Sequence, residues 1–185
     1  LVGADGLRAN YRKTHLWWSA EGLRHEPTFY RPGSQLVTFD VKGSKSGVMI
    51  CYDGDFPEMA RSYAVLGCDM LFWMNNRGSR GPEEVKPLAN ANSLIIAASC
   101  CCGRNEQGDA CRGGSNIVNM DGTVLAEMWD QEGIIYADVN AAGQFGWTAL
   151  HAAAYQGLND DIEYLVSKGA KIDQKDSFGQ TPLSI

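Results

Sequence analysis

Residues 46–58 read SGVMICYDGDFPE, and the side chain there that could do covalent chemistry is Cys51. Val48, Met49, Ile50 and Cys51 form a short apolar run that ends in a polar turn, which puts the thiol at the tip of a core strand. Asp53, Gly54 and Asp55 can turn the chain, and Pro57 suits the first position of a helix. A strand–elbow–helix of this kind aims backbone N–H groups toward the sulfur. An ordinary thiol, with a pKa of about 8.5, is mostly protonated at neutral pH. To act as a nucleophile it needs a base, a nearby cation or a helix dipole. The plain alternative is a packed structural thiol at a strand end.

Three histidines could supply a base: His15, His25 and His151. His151 lies in a Thr-x-Leu-His pattern where it holds a turn, and neither His15 nor His25 sits in the setting of a cysteine protease. A Cys–His dyad is therefore the weaker arrangement. Lys13 and Glu26 fit better, Lys13 as a cation closing an apparent short strand and Glu26 as a carboxylate six residues before Pro32. The tryptophans Trp17 and Trp18 can line a pocket or pack in the interior. Six cysteines are present, but Cys100, Cys101 and Cys102 are contiguous and no CxxC pair occurs, so neither a zinc site nor any other cofactor is expected. SLIIAASCCCG reads instead as a buried strand ending in small polarizable residues.

With 185 residues the chain can form one sizeable core, or one domain with an appendix. Hydrophobic residues at 44% and charged residues at 21% fit a folded soluble protein. A net charge of −6 and a pI near 5.0 argue against nucleic acid or an anionic membrane as partner. No apolar run is long enough to span a bilayer, and residues 1–15 lack a signal-peptide pattern. A reducing, cytoplasmic setting is the expectation. The chain begins with Leu1, so a fragment or a processed product is expected.

Strand-like and helix-like segments alternate over the first 140 residues. Residues 36–41 alternate apolar and polar, 48–51 are apolar, and 58–66 carry Met59, Tyr63 and Leu66 at helical spacing before Gly67. Residues 68–74 are apolar again. A helical pattern through Val85, Leu88, Ala89 and Asn92 leads into the apolar stretch 93–102, and Pro87 predicts that this helix begins or kinks there. Residues 116–120 and 123–128 flank Asp121 and Gly122 as a hairpin, and 134–139 read as a last strand. This order predicts an α/β sheet layered by helices.

Residues 145–157, FGWTALHAAAYQG, return in part as FGQTPLSI at 178–185. Phe145, Gly146, Thr148 and Leu150 each have a copy 33 positions on. The segment resembles the ankyrin repeat, with one helix opened by TALHAAA, a second filled by Ile162, Tyr164, Leu165 and Val166, and an end at Gly169 and Ala170. One full repeat and the start of another are present. About three are ordinarily needed for stability, so either the array is cut short or the repeat leans on the preceding domain.

YRKTHL (11–16), HEPTFYRPG (25–33), GVMICYDGDFPEMAR (47–61) and GGSNIVNMDGTVLAE (113–127) resemble, in order, the motifs of the carbon–nitrogen hydrolase (nitrilase) superfamily. The resemblance implies a partial α-β-β-α sandwich over residues 1–140, with an ankyrin segment over 141–185. It also implies hydrolysis of a non-peptide C–N bond in an amide, carbamoyl or nitrile small molecule. Cys51 is then the nucleophile. Lys13 and the backbone N–H of Tyr52 stabilise charge on the substrate, Glu26 is an additional carboxylate, and Asn75 and Asn76 follow a strand where the family shapes its pocket. Homo-oligomers are common in the family. Its general base is a glutamate on an early strand, well upstream of the lysine motif. Here Asp5 is the only carboxylate before Lys13 and the first glutamate is Glu21. The first third of the fold is thus expected to lie outside the sequence. Base catalysis commonly gives about 10²–10⁴ in rate, so these residues alone are expected to be nearly inactive. The competing expectation is a protein-interaction protein that binds a partner through the ankyrin segment and keeps the hydrolase part as an inactive scaffold.

Overall fold

The computed structural model describes residues 2–3, 6–7, 9–18, 25–41, 43–76, 81–104, 108, 110–138 and 146–185. Asp5, Glu21, Arg77, Val139, Phe145 and the expected boundary at 140/141 lie outside the described residues.

Near the N-terminus a two-stranded ladder, β1 (Val2–Gly3) with β2 (Gly6–Leu7), precedes the short helix α1 (Glu26–Phe29). The main sheet follows: β3 (Thr38–Val41), β4 (Ser44–Ile50), α2 (Pro57–Val65), β5 (Met70–Asn75), α3 (Pro82–Asn92), β6 (Ile95–Cys100), β7 (Cys102–Arg104), β8 (Ala110–Val118) and β9 (Val124–Trp129). Strands β4, β5 and β6 are parallel neighbours, joined through α2 and α3. Antiparallel strands extend them on both sides, β3 against β4 and β8 against β6, with β7 and β9 on β8. This is the mixed α/β sheet that the alternation of segments predicts.

The period-2 rule explains the layering. Met49, Leu71, Trp73, Ile96 and Val118 point to one face, where Met59, Ala60 and Tyr63 of α2 and Val85 and Ala89 of α3 cover them. Their alternates, among them Ile50, Phe72, Met74, Ala97 and Ile117, line an apolar cavity of about 730 Å³ on the other face. Among the described residues, helices cover only the first face.

Two local expectations need correction. α3 begins at Pro82, not at Pro87, which lies inside the helix. Pro82 takes the first turn, where no N–H is needed, and Pro87 costs only the bond to Glu83 while its ring is exposed. Residues 134–138 form no strand. Ile134 and Ile135 lie along the open cavity instead, and without a ladder partner an apolar run does not become a strand. The predicted hairpin turn is present, with Asn119 N–H donating to Thr123 O at 2.8 Å and Gly122 at φ +85°.

Two further helices, α4 (Ala149–Gln156) and α5 (Asn159–Ser167), form the repeat. The Thr148 N–H donates to His151 Nδ1 at 3.1 Å, so the ring proton sits on Nε2, which faces Gln180 O at 3.3 Å. The histidine thus caps its own helix and ties it to the next turn. Ala149, Leu150, Ala153 and Leu165 pack together with Met120 and Ile95 of the sheet region, so the repeat does lean on what precedes it. Ser93 Oγ donates to Gln156 Oε1 across the same junction.

Asp161, in the first turn of α5, hydrogen-bonds Asp69 just before β5. Burial, then Asp69 and then Asp160, push the Asp161 carboxyl from 3.8 up to about 7. A raised carboxyl favours the folded form while it is protonated. Its contribution is complete below the ordinary 3.8 and is lost as pH rises through about 7. Hydrogen-exchange protection of α4 and α5 is therefore expected to be higher at pH 5.5 than at pH 8.5, and Asp161→Asn should remove most of that difference. An unchanged pH response in the variant would show that this carboxyl pair does not govern docking.

Candidate active site

The strand expected to carry the thiol ends one residue before it. β4 stops at Ile50, and Cys51–Asp55 form a single 3-10 turn that leads into α2. Cys51 starts the turn at φ +47°, a conformation non-glycine residues rarely adopt. The Trp73 indole N–H donates to Cys51 O at 3.0 Å. A Cβ on Gly54 would sit 2.0 Å from the same indole, so only glycine lets the turn lie against that ring.

Lys13 is held from two directions. Its carbonyl accepts the Gly33 N–H at 2.8 Å, and its ammonium donates to Glu26 Oε2 at 2.6 Å, with the lysine side chain 10% exposed. The same Glu26 oxygen accepts the Trp17 N–H at 2.6 Å, and Glu26 N–H returns a bond to Trp17 O at 3.2 Å. An ammonium carries three donors. Among the described residues Glu26 takes one of them.

The lysine segment and the thiol elbow meet at Asp53, which has no solvent exposure. Its carboxylate accepts bonds from Tyr11 Oη at 2.8 Å, Thr14 Oγ1 at 2.8 Å, His15 N–H at 2.8 Å, Thr14 N–H at 3.2 Å and Ile50 N–H at 3.0 Å. Burial alone would raise the pKa of this carboxyl. The N–H groups of Ile50 and His15 and the hydroxyls of Tyr11 and Thr14 more than offset that and hold it below the usual carboxylate value. Burial, joined by the Asp53 charge, pushes the Tyr11 phenol above its usual range. Two ring contacts add to the seam: His15 stacks on Phe56 at 3.9 Å, and Trp17 meets Tyr52 edge-on at 5.0 Å.

Asn75 ends β5. The pairing of Ile50 with Met74 puts it level with Cys51 on the adjacent strand. Its Oδ1 is buried and has no partner among the described residues. Asn76 turns elsewhere, its Oδ1 accepting from the Cys101 thiol at 2.9 Å. Of the six residues the sequence suggests, Lys13 and Glu26 touch directly. Cys51 and Tyr52 share the elbow, Asn75 flanks it, and Asn76 faces the cysteine run. Asp53, Tyr11 and Thr14 were missed as members of the site, because in sequence Asp53 reads only as a turn residue. The large cavity is not this site, since Cys51, Lys13 and Glu26 do not line it.

Over residues 2–145 the chain matches the carbon-nitrogen hydrolase family. The chain belongs to that family. Among curated relatives, it is 34% identical to an (R)-stereoselective amidase of Pseudomonas over 69% of this chain and 46% of the relative. It is 31% identical to omega-amidase NIT2 of Homo sapiens over 76% and 54%, and 34% identical to 2-oxoglutaramate amidase of Bacillus subtilis over 70% and 50%. The chain thus spans about half the length of these relatives. A solved Glu-to-Gln mutant of an amidase of Nesterenkonia, with acrylamide joined to its active-site cysteine by Michael addition, superposes with a TM-score of 0.61 at 27% identity, over 70% of this chain and 51% of that one. Ankyrin repeats match residues 109–185. The two matches overlap over 109–145, which includes the β8–β9 hairpin, and among the described residues the repeat-shaped helices lie in 146–185.

Gly54→Ala should force the turn off Trp73 and lower the unfolding free energy by about 1–3 kcal/mol, read from the denaturant midpoint. A midpoint equal to that of the parent would contradict the close packing.

Proposed function

We propose that this chain carries the covalent half of an amidase site, hydrolysing a small-molecule amide through Cys51. The observation that carries this reading is the Lys13–Glu26 pair, held on the segment that Asp53 joins to the Cys51 elbow. The amidase relatives support an amide over a nitrile or carbamoyl substrate.

In this reading the Cys51 sulfur attacks the amide carbon. Negative charge moves to the carbonyl oxygen, where the Lys13 ammonium and the Tyr52 N–H receive it. The C–N bond then breaks, ammonia or an amine leaves with one added proton, and a thioester remains. Water cleaves the thioester, releasing the carboxylic acid and restoring the thiol. Glu26 keeps the Lys13 ammonium aimed, and Asn75 borders the pocket. Residues 1–140 form the hydrolase part, and residues 141–185 form an ankyrin segment offered to a protein partner.

Among the described residues no carboxylate takes the place of the upstream glutamate that the family uses as a base. These 185 residues alone are therefore expected to turn over slowly, and a cytoplasmic, reducing setting suits a reaction that needs a free thiol. The competing reading, an interaction protein with an inactive hydrolase scaffold, is an outcome of the test.

The test incubates the purified chain with simple amides and with 2-chloroacetamide, then maps alkylation by mass spectrometry. Cys68 is a poor reference, because burial pushes its thiol up to about 11. Cys101, half-buried like Cys51, is the fair one. Cys51 is expected to label at least about tenfold faster than Cys101, and Lys13→Ala should remove most of that advantage. Equal labelling together with no released ammonia would leave the scaffold reading.

A further inference from the structure

We propose that Asp53 is a positioning residue of this site, one carboxylate that fixes Lys13 against the Cys51 elbow by gripping the residues beside each. The role rests on the reading that Lys13 binds the carbonyl oxygen of an amide. One oxygen, Oδ2, accepts Tyr11 Oη and the Ile50 N–H, so it joins the residue two before Lys13 to the residue just before Cys51. The other, Oδ1, accepts Thr14 Oγ1, the Thr14 N–H and the His15 N–H, the two residues directly after Lys13. His15 Nδ1 also approaches Oδ1, at 3.2 Å. The lysine is thus bracketed along the chain by ligands of a single fully buried group.

This arrangement needs an acceptor on both sides. An amide at position 53 would present its NH₂ either to the Ile50 N–H or to the Thr14 and His15 N–H groups. In either orientation donor faces donor, and one of the two segments must move. Displacements of about 1 Å in a catalytic array can cost about 100-fold in rate. The displaced group would be Lys13 relative to the sulfur, with the sulfur's own chemistry left intact.

The experiment compares labelling of Cys51 by 2-chloroacetamide, which carries an amide carbonyl, with labelling by methyl methanethiosulfonate, which does not. The ratio cancels changes in thiol ionisation and exposure. Four variants of the full chain are used: Lys13→Ala, Asp53→Asn, the double variant, and Tyr11→Phe. Lys13→Ala and Asp53→Asn are each expected to lower the ratio about tenfold, with Tyr11→Phe intermediate. The double variant should fall within about twofold of Lys13→Ala alone, because both changes remove one function.

An Asp53→Asn chain with a lower melting temperature but an unchanged ratio would reduce the residue to a fold-holding role and overturn the proposal. So would a double variant whose loss is the product of the two single losses. If Asp53→Asn does not fold, Tyr11→Phe enters the same cycle under the same two criteria. If Lys13→Ala itself leaves the ratio unchanged, the amidase reading of Lys13 falls and the positioning role with it. If Lys13→Ala lowers the ratio and the Asp53 and Tyr11 variants do not, only the positioning role falls.

Discussion

A buried carboxylate with no solvent exposure is costly unless every lone pair finds a donor, and Asp53 is such a group. What stabilises it is a ring of backbone N–H and hydroxyl donors from residues 11–15 and from the end of β4, with His15 Nδ1 nearby. Charge-assisted bonds of this kind are the strong ones. The dependence runs both ways. Without the segment of residues 11–15, the carboxylate loses most of its donors. Without the carboxylate, the same segment loses the five hydrogen bonds that run from residues 11–15 and Ile50 to one group. Formation of the thiol turn and docking of the lysine segment are therefore coupled, and the site is assembled by one electrostatic requirement rather than by a series of independent contacts.

The same requirement explains how Cys51 holds a left-handed conformation. A non-glycine residue at φ +47° costs on the order of 1–2 kcal/mol, and such strain persists only where the surroundings over-determine it. Here the chain is tied down just before Cys51 and at its own carbonyl. The Ile50 N–H is committed to Asp53, the Cys51 carbonyl is committed to Trp73, and Gly54 rests against the Trp73 ring. Trp73 is itself a core residue on the helix-covered face, so the rigidity of the sheet interior is passed to the turn that carries the thiol.

Features with a local cause were legible in the sequence. The apolar run of residues 48–51 (to within the one residue by which the strand falls short of Cys51), Pro57 at the start of α2, the Asp121–Gly122 turn and the 33-residue echo in the repeat each follow from neighbouring residue types. Lys13 and Glu26 were legible because their motifs flank them. Asp53 was not, because its ligands lie about forty positions away and nothing in DGD separates a buried acceptor from a surface turn. Residues 134–138 fail for the opposite reason. They have strand composition, but a strand is made by a partner, and composition does not report one. Pro87 does not start the helix, because the cost of a proline depends on which bond it removes and which way its ring faces.

The parallel strands give the molecule two poles. β4, β5 and β6 point their C-terminal ends at the site, where Cys51 and Asn75 lie level. Their N-terminal ends, together with the turn after β8, face the repeat. Asp69 precedes β5 and meets Asp161, Ser93 precedes β6 and meets Gln156, and Ile95 and Met120 join the apolar cluster of α4 and α5. An ankyrin repeat buries its apolar face on a neighbour, and here the base of the sheet is one such neighbour. Because that docking uses the end of the strands away from the thiol, the repeat can be held firmly without obstructing the route to Cys51. Anything bound to the outer surface of the repeat would approach from the opposite pole.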